Sequence, residues 1–197
     1  MKKSTLLLSL GMSVLALSAF TPKEGNEEAK TQSIIHWTGS KVVGGSHTGT
    51  IQIAENSIKF KNGVLLSGSV IADMTTIQDS DLEGEWNDKL VGHLNSDDFF
   101  STAKYPTATI KINKATKGTQ PNTYNVQGDL TIKGITHQEV FTVLVTPEAS
   151  NYVVTTTLNV DRTKYNVKYG SSSFFDELGD KAISDEFTLE VTIFVKK

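Results

Sequence analysis

The chain has 197 residues, 38% hydrophobic and 21% charged, with 15 Gly, 4 Pro and no Cys. That composition excludes a disordered, collagen-like or coiled-coil chain. The absence of cysteine excludes a disulfide framework, a thiol nucleophile and a lipoprotein cysteine anchor. A formal net charge of -3, with no basic cluster, argues against a nucleic-acid partner.

Lys2 and Lys3 precede an apolar stretch from Leu6 to Leu17 that ends among Ala16, Ser18 and Ala19. This is the layout of a secretory signal, and the run is too short to span a bilayer. Residues 1–20 are therefore read as a signal peptide cleaved near residues 18–20, which points to export, to the periplasm first and otherwise to the outside. Loss of Lys2 and Lys3 lowers the basic count from 19 to 17 and moves the net charge from -3 to -5. Residues 21–32 (TPKEGNEEAKTQ) are polar and read as a flexible tether. Residues 33–197 read as one domain without a transmembrane anchor, large enough to bury roughly 70% of its unfolded surface.

From Ser33 onward the dominant period is two. His47, Gly49, Ile51 and Ile53 share one face of a first run. Val64 to Met74, Ala108 to Ile112, Tyr124 to Ile132, Phe141 to Val145, Tyr152 to Val160 and Phe187 to Val195 alternate in the same way. Such alternation marks strands with one buried face. Turn signals at Lys61-Asn62-Gly63, Pro121-Asn122, Lys133-Gly134 and 147–150 separate the runs. One stretch differs: Leu82, Trp86, Leu90 and Leu94 recur every four residues, as on a helix, with Asp79, Ser80 or Asp81 available as caps. The pattern predicts about eight or more antiparallel strands with a short helix near 82–95. Short connections favour an up-and-down barrel or a sandwich.

The search for chemistry finds little. The histidines His36, His47, His93 and His137 stand in four segments, and none has metal-ligand spacing. A site assembled from distant segments stays open, but no metal and no cofactor is expected. His47 falls on the apolar face of its run and reads as a buried, hydrogen-bonded histidine. Gly44-Gly45-Ser46-His47 lacks both the serine elbow and the phosphate-loop lysine. The acids Asp79, Asp81, Glu83, Glu85 and Asp88 suit a helix start.

A barrel with no polar catalytic set suits an apolar ligand. Each buried methylene is worth about 0.8 kcal/mol, so a hydrocarbon chain needs only an apolar tunnel. The competing reading is a closed-core interaction or structural barrel, since small barrels are often filled by their own side chains. An enzyme, such as a lipid-processing hydrolase, ranks third.

Several segments carry a resemblance. They are Trp37-Thr38-Gly39-Ser40-Lys41 with His47-Thr48-Gly49-Thr50; Gly92-His93-Leu94-Asn95-Ser96-Asp97-Asp98-Phe99-Phe100 leading into Lys104-Tyr105-Pro106; Gly128-Asp129-Leu130-Thr131-Ile132-Lys133-Gly134; and Asp161-Arg162-Thr163-Lys164-Tyr165. From about Ser33 to the C-terminus the chain resembles the YceI family of exported bacterial proteins. The resemblance implies an all-β, lipocalin-like antiparallel barrel with a long apolar cavity. It also implies binding of a polyisoprenoid, isoprenoid quinone or similar lipid rather than catalysis, in lipid carriage, quinone metabolism or envelope stress response.

The alternation places candidate cavity residues at Ile51, Phe60, Val70, Ile110, Val126, Leu130, Phe141, Val154, Leu158, Leu189 and Val191. Gly49, Gly68, Ala72, Ala108, Gly128 and Thr156 share the inward faces and leave room for a chain. Phe99, Phe100, Phe174 and Phe175 lie outside the strands, where they either cap the end of the core or form a lid over the cavity mouth assisted by Trp86 and Leu90. Arg162 shares the inward parity of its strand. Two roles stay open: closing the barrel end on an aromatic such as Trp37, or meeting a polar lipid head with Tyr165.

Overall fold

The computed structural model describes residues 32–197. The expected signal peptide, and the tether up to residue 31, lie outside the described residues. Period-two alternation produces nine strands: Ile34–Lys41 (β1), Ser46–Asn56 (β2), Lys59–Lys61 (β3), Val64–Asp79 (β4), Thr107–Lys117 (β5), Thr123–Ile132 (β6), Ile135–Pro147 (β7), Asn151–Asp161 (β8) and Ile183–Lys196 (β9). One α-helix, Gly84–Asn95 (α1), joins β4 to β5.

All pairings are antiparallel, in the order β2-β1-β9-β8-β7-β6-β5-β4-β3, and β2 also pairs with β4. That last pairing closes eight strands into a lipocalin-like barrel and leaves the short β3 folded against β4 as a hairpin. Asn62 and Gly63 (φ 52° and 75°) and Lys133 and Gly134 (φ 52° and 73°) make two-residue turns with both φ positive, the turn whose twist matches paired strands.

Closure bends β4 sharply. Thr50 pairs with Gln78 but Gln52 with Asp73, so β4 carries extra residues there. The bulge is held locally: Gln52 N–H donates to Thr76 Oγ1 (2.9 Å), and Thr76 Oγ1 donates to Asp73 O (2.6 Å). Such bulges let a sheet turn a barrel corner. Gly49 makes the corner possible, since a Cβ there would lie 1.8 Å from Gln78 O and 2.6 Å from the Trp37 ring. Gly68 (φ 152°) does the same for the β3 side, where a Cβ would meet Ile58 Cα at 2.5 Å. These glycines serve close approach of backbones rather than cavity room, which corrects their sequence reading.

Ladder length varies around the barrel. β8 and β9 pair from Asn151↔Lys196 through Asp161↔Glu186. β7 and β8 pair only over residues 144–147 with 152–155. Beyond them Thr156 Oγ1 donates to Thr142 O (2.8 Å), and the Arg162–Tyr165 3-10 turn packs against β7.

The helix begins at Gly84 with Glu83 as N-cap, and no side chain caps it. Asp79 Oδ1 instead accepts the Asp81 and Leu82 N–H groups (3.2 and 2.7 Å), so the expected cap shapes the preceding turn. Leu94 is buried and Leu90 partly so, while Trp86 stands 69% exposed. The C-terminal half of α1 therefore makes the apolar contact with the barrel, while Asn87 in its first half donates to Asp79 at the end of β4.

Candidate functional site

The inward faces form two buried clusters. At the α1 end are Trp37, Ile51, Met74, Ile77, Leu94, Phe99, Phe100, Tyr165 and Val167. At the other end are Ile58, Leu65, Tyr124, Val126, Val145 and Val195. Ile53, Ile110 and Val191 pack against both clusters yet are only partly buried. Ile110 and Val191 border a cavity of about 110 Å³ between the clusters.

Its walls come from β1, β2 and β4 to β9, with Ile58 below and Phe100 above. Among the described residues Thr109 and Thr156 are the only polar members of an otherwise aliphatic and aromatic lining, and Thr156 spends its hydroxyl proton on Thr142 O. An apolar cavity stays dry unless an apolar ligand enters it.

Of the eleven residues expected to line a cavity, Ile51, Val70, Ile110, Leu130, Phe141, Val154, Leu158, Leu189 and Val191 do so geometrically. Phe60 and Val126 do not. Phe60 lies on β3 and stacks on Tyr152 (centroids 4.2 Å apart), and Val126 is fully buried in the solid cluster below. Parity assigns a face of the strand, but height along the barrel axis depends on strand stagger. Ile35, Ile58 and Phe187 also line the cavity and were not expected there. The alternating runs held Phe187; a shorter window over Ile34–Trp37 would have found Ile35.

A second apolar space of about 60 Å³ lies toward α1, lined by Trp37, Ile77, Leu94, Phe99 and Arg162 among others. Ile51, Phe100, Phe187 and Leu189 border both spaces. Phe100 and Phe187 meet edge to face, centroids 6.2 Å apart. They separate the barrel interior from the chamber under the helix.

At the mouth the four phenylalanines divide between core and solvent. Phe99 and Phe100 are buried, but Phe174 and Phe175 are 47% and 51% exposed. Phe174 lies under Lys168 Nζ, 4.4 Å from its ring centroid, rather than over the cavity. Trp86 is likewise turned to solvent, with Lys89 Nζ 5.0 Å from its ring.

Arg162 opens the 3-10 turn directly after β8, yet it keeps the expected inward direction and is 2% exposed. Its Nε donates to Ser184 O (2.8 Å), Nη1 to Val167 O (2.8 Å) and Tyr169 O (2.9 Å), and Nη2 to Ile183 O (3.1 Å). Asp185 lies 3.6 Å from Nη2, and the Phe99 ring 5.7 Å from the guanidinium carbon. A guanidinium has five N–H donors, so little is left for a ligand head. The aromatic partner is thus Phe99; Trp37 instead donates its indole N–H to Gln78 O (3.1 Å).

Tyr165 is fully buried and donates to Glu139 Oε1 (3.1 Å), again away from the cavity. Burial, reinforced by the Glu139 charge, pushes its phenol well above the ordinary tyrosine range. Four backbone carbonyls on the 167–184 segment thus converge on one side chain, a signal no residue pattern could carry. His47 departs too. It is half-exposed and its Nδ1 lies 3.0 Å from Asp81 Oδ2, because the inward face at the rim meets the β4–α1 corner and not the core.

A closed eight-stranded antiparallel barrel enclosing an apolar cavity is the architecture of a small apolar-ligand binder. Residues 27–195 match the YceI-like domain, and the chain belongs to that family. It is 34% identical over 95 residues to the UPF0312 protein SAB2563 of Staphylococcus aureus, covering 44% of this chain and 51% of the relative. The chain thus spans about half the length of the curated relative it matches.

Solved structures share the fold. Burkholderia cenocepacia BcnA superposes with a TM-score of 0.67 at 21% identity, over 83% of this chain and 95% of that one. A polyisoprenoid-binding domain from Saccharophagus degradans, implicated in plant cell wall breakdown, gives 0.60 at 16% identity over 83% and 93%. The Campylobacter jejuni YceI protein gives 0.57 at 17% identity over 100% and 99%.

Proposed function

We propose that the protein binds a long-chain apolar lipid, of the polyisoprenoid or isoprenoid-quinone kind, inside the barrel and without catalysis. The observation that carries this reading is the enclosed cavity, whose lining offers methyl groups and aromatic carbons and almost no polar atom. Such a wall recognises hydrocarbon through burial alone; ten methylenes supply about 8 kcal/mol before the costs of association. The family match and the Saccharophagus neighbour, described as a polyisoprenoid-binding domain, support the ligand class.

At about 110 Å³ the resting cavity takes a short apolar segment. A longer chain continues past Phe100 and Phe187 into the space under α1, and those two rings turn aside to admit it. The buried Arg162 secures the mouth loops rather than reading a head group. The Lys2-Lys3 and Leu6–Leu17 pattern supports export to the periplasm, which cell fractionation and N-terminal sequencing of the mature protein test.

The experiment is native mass spectrometry of protein purified without detergent, followed by lipid extraction. The expected result is one co-purifying apolar lipid per barrel, displaced by a fluorescent prenyl alcohol. A barrel that carries nothing and takes up no prenyl probe fits the closed-core interaction protein instead.

A further inference from the structure

We propose that His47, Asp79 and Asp81 form a binding site for a divalent transition-metal ion of the zinc type, at the corner where β2 starts, β4 ends and α1 approaches. The site lies in the wall rim, and the inference is independent of the lipid reading.

One ligand atom from each of the three side chains lies within 4.8 Å of the others. An ion bonded to nitrogen and oxygen at about 2.0–2.2 Å holds tetrahedral ligands about 3.3–3.6 Å apart. Small side-chain rotations therefore close the set. The pair already in contact is His47 Nδ1 and Asp81 Oδ2, at 3.0 Å.

Each carboxylate is oriented so that one oxygen is occupied by the protein. Asp81 Oδ1 accepts the Thr48 N–H (3.0 Å), which leaves Oδ2 beside the imidazole. Asp79 Oδ1 accepts from the Asp81 and Leu82 N–H groups and from the Asn87 amide (3.3 Å). Among the described residues Asp79 Oδ2 has no hydrogen-bond partner, although it is buried and its residue only 8% exposed. A carboxylate oxygen taken out of water with nothing to bond is costly. A cation placed among the three groups would satisfy it.

Donor chemistry selects the ion. One imidazole nitrogen and two carboxylate oxygens suit zinc or manganese, with water completing the shell. Calcium prefers six to eight oxygen ligands, and three side chains including an imidazole supply too few. Binding takes the neutral imidazole in the tautomer that carries its proton on Nε2, so that the Nδ1 lone pair now facing Asp81 turns to the ion. The hydrogen bonds from Thr48 and Asn87 would keep the ligands aimed, the usual office of partners behind a metal's ligands.

The test is equilibrium dialysis of the full chain, made without a histidine tag and first stripped with a chelator, against zinc chloride at micromolar concentrations. One zinc per chain is expected. His47→Ala and Asp81→Asn, both at the surface, should each weaken binding by about tenfold or more. Asp79→Asn, which keeps the acceptor toward the 81–82 backbone, should do the same. Melting curves in chelator check that each variant folds. Three results would overturn the proposal: less than stoichiometric zinc on the parent chain, undiminished binding by His47→Ala, or calcium held more tightly than zinc.

Discussion

The two ends of the barrel are closed by opposite means. The end bearing β3 is sealed by apolar packing: Ile58, Leu65 and Val126 are buried and Phe60 stacks on Tyr152, with Tyr124 Oη donating to Gly63 O (3.2 Å) and the β3–β4 ladder and Ser57–Ser69 hydrogen bonds tying the plug to the wall. The α1 end is closed around a charge. Arg162 collects carbonyls from residues 167, 169, 183 and 184, so a loop of irregular backbone is fastened without filling the space beneath it. The main cavity lies between the two closures, floored by Ile58 of the plug and roofed by Phe100, while the smaller space directly beneath the clasp is lined by Arg162 itself.

The largest expected effect breaks the clasp. Arg162→Leu leaves four carbonyls without a donor in a water-poor site, and should cost about 3–5 kcal/mol. That corresponds to a melting temperature lower by about 10 °C in ligand-free protein. A near-normal melt with selective loss of affinity for prenyl pyrophosphates over prenyl alcohols would return Arg162 to the ligand.

Next come matched leucine truncations. Leu65→Ala in the plug creates a new void and should cost about 3 kcal/mol, whereas Leu158→Ala, whose side chain already faces the cavity, should cost about 2 kcal/mol or less. Urea unfolding of the pair measures the difference, and equal losses would mean that both ends are packed alike.

Tyr165→Phe tests the clasp end by pH. Because the folded state holds the phenol proton more tightly than the unfolded state, this group's contribution is whole below about pH 10 and is lost as pH rises beyond it. The parent protein should lose stability above that point. The variant should lose about 1 kcal/mol at neutral pH, through the missing bond to Glu139, and show a flatter alkaline limb.

The smallest stability effect is expected from Ala108→Leu, which fills part of the hollow. Stability should change by less than about 1 kcal/mol, while titration with a fluorescent prenyl alcohol should show weakened binding. Unchanged affinity would place the ligand outside the barrel.

The wall was largely legible in the sequence because side-chain alternation is a local property. Val70, Ile110, Leu130, Val154 and Leu189 take their inward direction from the residues on either side. Phe60 and Val126 show where that reading stops: Val126 points inward at a level set by how strands stagger around the closed barrel, and Phe60 belongs to the β3 hairpin beside the wall. The clasp was half legible. Parity sent Arg162 inward, yet its partners are backbone carbonyls, which every residue possesses. Phe174 and Phe175 fall outside any periodic pattern, and their hydrophobicity alone did not place them in solvent.

The short β7–β8 ladder bears on how the molecule changes girth. Around most of the perimeter, neighbouring strands are joined along their length, but here only residues 144–147 and 152–155 are paired. The rest of the gap is bridged by Thr156 to Thr142 O, by Tyr165 to Glu139, and by His137 Nε2 facing Lys164 O at 3.0 Å. A hoop with a single loose joint can widen by letting that joint slip while its other staves stay rigid. Swelling to admit a guest thicker than the resting bore would then require three side-chain bridges to part and no complete strand to peel away.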